Sequence, residues 1–164
     1  MGAVMTGLKT LYDEDFVAWS KQQAEALRAA ARGGSNHQLD WENLAEEIES
    51  LGKSQRSALG SHIMRIIQHL VKLQHSPAID PRNSWRRSIR LARIQIRNLL
   101  RDNPSLKGEV SRLIGDETTS GIELAIGDLD EQGEIDAARA PALRRARFTE
   151  EQVLSDWLPE EPQR

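Results

Sequence analysis

The sequence predicts an all-α protein: a compact helical bundle of four main helices plus a short C-terminal helix, built around a central helix over about 40–75. Three observations carry that expectation. Apolar residues recur three and four apart in four long segments, and no stretch alternates apolar and polar residues as a half-buried strand would. Cap residues stand where the segments begin, and Gly, Pro or Asn stand where they end. The connections are short, which favours antiparallel neighbours.

Residues 1–11 read as a loose leader. Asp13 is the expected N-cap of the first helix, with Glu14 and Asp15 suiting its positive end. That helix runs from about Glu14 to Ala31, should bury Phe16, Trp19, Leu27 and Ala30, and ends at Gly33-Gly34. Asp40 caps the central helix, with Leu39 and Leu44 placed for a hydrophobic staple. Trp41, Leu44, Ile48 and Leu51 form its first inward stripe. Beyond Gly52 the stripe resumes at Leu59 and Ile63 and widens to Ile66, Ile67, Leu70, Val71 and Leu73. A helix apolar around most of its circumference belongs in the middle of a core. Gly52, which costs about 1 kcal/mol against Ala inside a helix, marks either a kink or a break.

Ser76-Pro77 stops the central helix, and Asp80-Pro81 or Asn83-Ser84 starts the third, from about Trp85 to Arg101. Trp85, Ile89, Ala92, Ile96 and Leu99 line one side of it. Arg82, Arg86, Arg90, Arg93, Arg97 and Arg101 form a second stripe roughly 100° around. Leu91 and Ile94 lie on a third side and need a cover: another helix, a tail or a second subunit. After Asn103-Pro104 the fourth region runs from Ser105 to about Gln132, and Gly115 and Gly121 argue for two shorter helices within it. Residues 133–147 read as irregular. Thr149 and Gln152 fit a capping box for the last helix, Phe148 and Val153 fit the staple around it, and Trp157 and Leu158 dock it. The whole reads as one helical domain over 12–159, with 160–164 a second loose terminus.

The 164 residues suffice for a real core, and the charged fraction of 29% is ordinary for a soluble globular protein. There is no cysteine, which removes disulfide and thiolate chemistry. No stretch approaches 18 apolar residues and no basic segment precedes an apolar run, so the expectation is a cytoplasmic protein without a membrane partner. The net charge of −3 conceals segregation. Residues 40–52 carry five acids and no base; residues 82–101 carry seven arginines and no acid; residues 102–136 carry ten acids and two bases. Adjacent helices of opposite sign explain such blocks without a ligand, and the arginine stripe should pair with the carboxylates of its neighbours.

Chemistry is sparse. Glu42, Glu46 and Glu49 share one face of the central helix and read as solvated. Gln55, His62 and His69 recur every seven residues in line with Leu44 and Leu51, so they should point inward or at a seam. They are either satisfied polar groups at a helix crossing or the lining of a pocket. Residues seven apart lie about 10 Å apart along the axis, too far for two imidazoles to share an ion held at about 2 Å. No Glu-x-x-His pair supports a carboxylate di-iron site. His37 stands in a polar loop and His75 at a helix end, where a cation suits the negative pole. No phosphate-cradling glycine loop or Gly-x-Ser-x-Gly elbow occurs. The expectation is no metal, no cofactor and no catalytic set.

The run Tyr12-Asp-Glu-Asp-Phe16 with Trp19, and Asp40-Trp-Glu-Asn-Leu-Ala-Glu-Glu-Ile-Glu-Ser-Leu-Gly52 after it, resemble the DUF29 proteins. Ser84-Trp85-Arg86, Asn103-Pro-Ser-Leu106 and the segment from Phe148-Thr149 to Leu158-Pro159 follow in the same order. The resemblance implies a bacterial, all-helical domain and no activity, since DUF29 denotes a domain of unknown function.

Three functional readings follow. The first is a helical interaction or regulatory module, with Leu91, Ile94, Arg86, Arg90, Arg93 and Arg97 meeting an unknown protein partner or a second copy. The second is nucleic-acid binding through the arginine stripe, which the acidic balance and the lack of interleaved aromatics disfavour. The third is an enzyme with a pocket near Gln55, His62 and His69.

Overall fold

The computed structural model describes residues 11–34, 39–136 and 138–160. His37, expected to be exposed, and residues 1–10 and 161–164 of the expected loose termini lie outside the described residues. Every described element is helical, as expected. The long helices are α1 (Phe16–Arg32), α2 (Trp41–His75), α3 (Arg82–Asp102) and α4 (Val110–Glu131). A 3₁₀ turn, Pro104–Glu109, leads into α4, and two short helices follow, α5 (Ala140–Leu143) and α6 (Glu150–Leu154).

The chain separates into two units. The first holds the described residues up to Ala58 together with Asn98–Gly108; the second holds Leu59–Arg97 and the described residues from Glu109 onward.

In the first unit the N-cap of α1 is Asp15, two residues later than the sequence argued, and its carboxylate accepts from the Ala18 amide at 2.9 Å. The same carboxylate accepts from the Ser105 amide at 2.6 Å and the Ser105 hydroxyl at 2.9 Å. Asp15 prevails over Asp13 because only it reaches both the helix end and the 3₁₀ turn. The expected burial of α1 also needs correction. Its buried residues are Ser20 and Ala24; Phe16, Trp19 and Leu27 are half-buried and Ala30 is exposed. Tyr12, Phe16 and Trp19, at helical spacing, form an aromatic cluster with ring centroids 4.8–5.8 Å apart.

Small residues prevail because α1 and α2 approach closely. A Cβ on Gly52 would overlap the Ser20 hydroxyl. Gly52 is therefore no break: α2 runs through it, and the missing side chain admits α1. The buried stripe of this part of α2 is Ala45 and Gly52, flanked by half-buried Trp41 and Ile48. Leu44 and Leu51, expected inward, are 41% and 49% exposed. Asp40 does cap α2, accepting from the Asn43 amide at 3.3 Å, while the expected staple residues Leu39 and Leu44 both stay exposed.

The second unit contains most of the apolar core. Leu59, Ile63, Ile66, Ile67, Leu70, Val71 and Leu73 of α2 are buried as expected, with Trp85, Ile89, Ala92 and Ile96 of α3. Val110, Leu113, Ile114, Ile122, Ala125, Ile126 and Leu129 of α4 complete it. The expected division of α4 does not occur. Gly115 is exposed and its Cβ position is open, whereas Gly121 is buried with its Cβ position 2.9 Å from Ile67 Cγ2 and Met64 O of α2. A glycine beneath a crossing helix strengthens packing instead of interrupting it. The region 133–147, expected to be irregular, contains α5, which buries Leu143.

Two helix ends in this unit are closed by arginines. Arg82 is buried and donates to Leu73 O at 2.7 Å and Ser76 O at 3.2 Å, at the end of α2. The cation at that negative pole is therefore Arg82, not His75: burial first, and then the neighbouring Arg139, push the His75 pKa down. The expected capping box of α6 is present, with the Gln152 amide 3.2 Å from Thr149 Oγ1 and the Thr149 amide 2.9 Å from Gln152 Oε1.

Candidate arginine-lined cleft

Within the second unit, α3 and the segment after α6 enclose a cleft of about 490 Å³. Arg86, Arg90, Arg93 and Arg97 line it from one stripe of α3, with Ile89 and Ile94 beside them and Asp156 and Leu158 opposite. The sequence identified four arginines and Ile94 of this set. Asp156 and Leu158 were missed as site residues: the capping box located α6 but carried no information about what its trailing segment would face.

The arginines have different roles. Arg93 is 5% exposed and donates from Nε to Val153 O at 2.9 Å, and from Nη2 to Gln152 O at 2.9 Å and Trp157 O at 2.8 Å. It satisfies carbonyls left open at the end of α6 and fixes the far wall of the cleft. Burial lowers its pKa, while Asp156 raises it and Arg97 lowers it further; a guanidinium starts so far above neutrality that it stays charged. The expectation that the stripe pairs with neighbouring carboxylates fails here, because Arg93 meets the end of α6 and the segment after it, whose acceptors are backbone oxygens. Two carboxylates of the neighbouring acidic segments are engaged elsewhere: Glu49 meets Arg28 at 2.7 Å and Glu123 meets Arg144 at 2.6 Å.

Arg90 and Arg97 are exposed, and among the described residues they make no hydrogen bond or ion pair. Arg86 is half-buried at the cleft edge and lies 3.4 Å from Asn83 Oδ1. Ile94 is 36% exposed, and Leu91, one turn away, is 52% exposed. Leu91 does not line the cleft; it extends the apolar strip outward from its rim. The result is a concave surface with a surplus of cations, an apolar floor and a single opposing acid. It can hold an anionic group between Arg90 and Arg97 while apolar atoms rest on Ile94 and Leu158. Guanidinium forks suit carboxylate or phosphate equally.

The other residues singled out from sequence do not converge on this cleft. Gln55 belongs to the first unit and is half-buried. His62 and His69 are half-buried on α2 in the second unit, each with Nδ1 buried and without a hydrogen bond. Burial is the main cause that lowers both pKa values, with Arg65 adding to it at His62; His69 is lowered to about 4, with Lys72 opposing its charge and Asp128 favouring it. A second concavity of about 390 Å³ is lined by Lys72, Trp85, Asp128, Glu131 and Glu134 among others. Its cation is already matched: Lys72 Nζ lies 2.7 Å from Asp128 and 4.9 Å from the Trp85 ring centroid, and Gln68 also donates to Asp128 at 2.8 Å. Among the described residues no group of three His, Cys, Asp or Glu could hold a metal ion, and no helix is long and apolar enough to cross a membrane.

Comparison with known proteins agrees with this architecture. The profile of a family described as a domain of unknown function, DUF29, matches residues 11–158. A crystal structure of an alpha-helical protein of unknown function from Rhodospirillum rubrum ATCC 11170 superposes with a TM-score of 0.69 at 24% identity, covering 88% of this chain and 89% of that one. That likeness concerns the fold alone. No curated protein matches the chain.

Proposed function

The chain belongs to the DUF29 family, and from that premise we propose that it is a helical interaction module. Its cleft takes an acidic, partly apolar segment of a partner protein. The observation that carries this reading is the state of Arg90 and Arg97: two exposed guanidinium groups without partners among the described residues, flanking the exposed Ile94 in a concave site. Buried and internally bonded arginines have a structural explanation; these two have none among the described residues. Arg is also among the residue types that dominate interface energetics.

The test is photo-cross-linking in cells of the native host with p-benzoylphenylalanine in place of Ile94. A cross-linked protein partner is expected, and it should be lost when Arg90→Glu and Arg97→Glu are combined. The melting temperature should stay unchanged, since neither side chain makes a bond among the described residues. Undiminished capture by the double variant would refute the reading.

A second reading is nucleic-acid binding through Arg90 and Arg97. It rests on these two exposed guanidinium groups with Asp156 opposing them in the cleft. It predicts a complex with DNA or RNA whose affinity falls steeply with salt and disappears in the double variant.

A further inference from the structure

We propose that the occupant of the arginine cleft is a second copy of this chain, presenting the Leu44–Glu47–Leu51 ridge of its α2. This rests on the interaction-module reading and names the partner for the same site. The ridge is unexplained by the fold. Leu44 and Leu51 are large apolar residues, seven apart on one face of a long helix, yet they stand 41% and 49% exposed, and Leu39 is exposed just before them. Their exposure follows from the close approach of α1 over Gly52, which turns Ala45 and Gly52 inward and leaves the leucines outside. Glu47 lies between them at i+3, and among the described residues its carboxylate makes no hydrogen bond or ion pair. Glu46 is exposed beside it.

Ridge and cleft are complementary in three respects. The ridge is acidic, in a segment with five acids and no base, and the cleft is lined by arginines from a segment with seven arginines and no acid. Each pairs unsatisfied charge with exposed apolar groups: Glu47 with Leu44 and Leu51, Arg90 and Arg97 with Ile94 and Leu158. Their spacings also agree, since Leu44 to Leu51 and Arg90 to Arg97 both advance two helical turns, about 10 Å. A helix laid along the cleft would set Glu47 between the two guanidinium groups and its leucines against Ile94 and Leu158, a recognised mode of helix-in-groove docking. Because ridge and cleft are different surfaces, the contact either occurs twice about a two-fold axis in a closed dimer or repeats head to tail as a ring or a chain, according to its rotation.

The experiment uses purified full-length protein carrying p-benzoylphenylalanine at Ile94, prepared as an equal mixture of ¹⁴N- and ¹⁵N-labelled chains. After irradiation, the expected product is an intermolecular cross-link, with mixed isotopes, into the tryptic peptide that ends at Lys53 and contains the ridge. Sedimentation of the unmodified protein should show a mass that rises with concentration above that of one chain. Arg90→Glu with Arg97→Glu should abolish the rise, as should Glu46→Arg with Glu47→Arg. An equimolar mixture of the two double variants should recover it, since the reversed cleft then meets a reversed ridge. A wild type that sediments as a single chain at every soluble concentration overturns the inference, as does a cross-link mapping elsewhere on the second copy. If that happens while irradiation in cells still captures another protein through Ile94, the interaction reading survives and only the identity of the occupant fails. If neither is captured, both fail.

Discussion

Gly52 lies so close beneath Ser20 that a Cβ would overlap the serine hydroxyl, which itself donates to Val17 O at 2.9 Å. One missing side chain thus decides how α1 and α2 approach, and with it which residues of α2 face solvent. Gly52→Leu should destabilise the protein by about 1–3 kcal/mol through overpacking. Gly115→Ala should instead be neutral or stabilising by about 0.5–1 kcal/mol, since that helical position is open and exposed. Urea denaturation of the two variants checks the contrast, and equal effects would mean that the crossing at Gly52 is looser than described.

Arg93 supports the end of α6 with three hydrogen bonds, whereas Arg90 and Arg97 bond to nothing among the described residues. Arg93→Ala should therefore cost about 2–3 kcal/mol, in the range of hydrogen bonds made by a charged donor. Arg90→Ala and Arg97→Ala should each stay within about 0.5 kcal/mol, as exposed substitutions do. Arg93→Lys should not restore stability, because an ammonium cannot reproduce the forked geometry that reaches Val153 O and Trp157 O together. Limited proteolysis after residue 147 gives an independent reading: cleavage there should accelerate in Arg93→Ala alone.

Asp15 joins the start of α1 to the 3₁₀ turn through Ser105. Asp15→Ala removes an N-cap, which alone costs about 0.5–2 kcal/mol, and also leaves the part-buried Ser105 amide without its acceptor. A loss toward the upper end of that range is expected in thermal or chemical denaturation. Asp13→Ala, the cap that sequence alone favoured, should have little effect, since the exposed Asp13 lies within the helical turn 11–14 ahead of α1 and does not cap α1.

These contrasts show what was legible in the sequence. The capping box at Thr149 and Gln152 was readable because its chemistry is contained within four residues. The core stretch from Leu59 to Leu73 was readable because its apolar residues leave little of the helix circumference polar. The position of Leu91 and Ile94 outside the buried side of α3 followed from phase alone. The burial of Ser20, Ala45 and Gly52 was not legible. Apolar periodicity weights large side chains, and a close helix crossing selects small ones, so the stripe at Leu44 and Leu51 was assigned to the wrong face. The separation of Arg93 from Arg90 and Arg97 was likewise hidden. All three share one stripe and one chemistry, and only the location of a helix end sixty residues onward distinguishes them.

The sharpest solution prediction concerns His69. It stands at a half-buried position of α2 and its Nδ1 is buried without a hydrogen bond. Burial is the main cause lowering its pKa from 6.5 to about 4; Lys72 and Arg65 add to that, and Asp128 acts against it. The folded chain thus holds His69 neutral at a pH where the unfolded chain would protonate it. Between pH 6.5 and about 4 the unfolded state binds more protons at this site, so stability rises with pH across that window. The contribution is fully present above pH 6.5 and is lost as the pH falls toward 4. The melting temperature should decline through this interval, and His69→Gln, which cannot take up the proton, should flatten the decline. Nuclear magnetic resonance titration resolves His69 directly: its ring should titrate near pH 4. A midpoint at or above 6.5 would show instead that the imidazole is open to water and that this part of α2 is less closely covered than its packing describes.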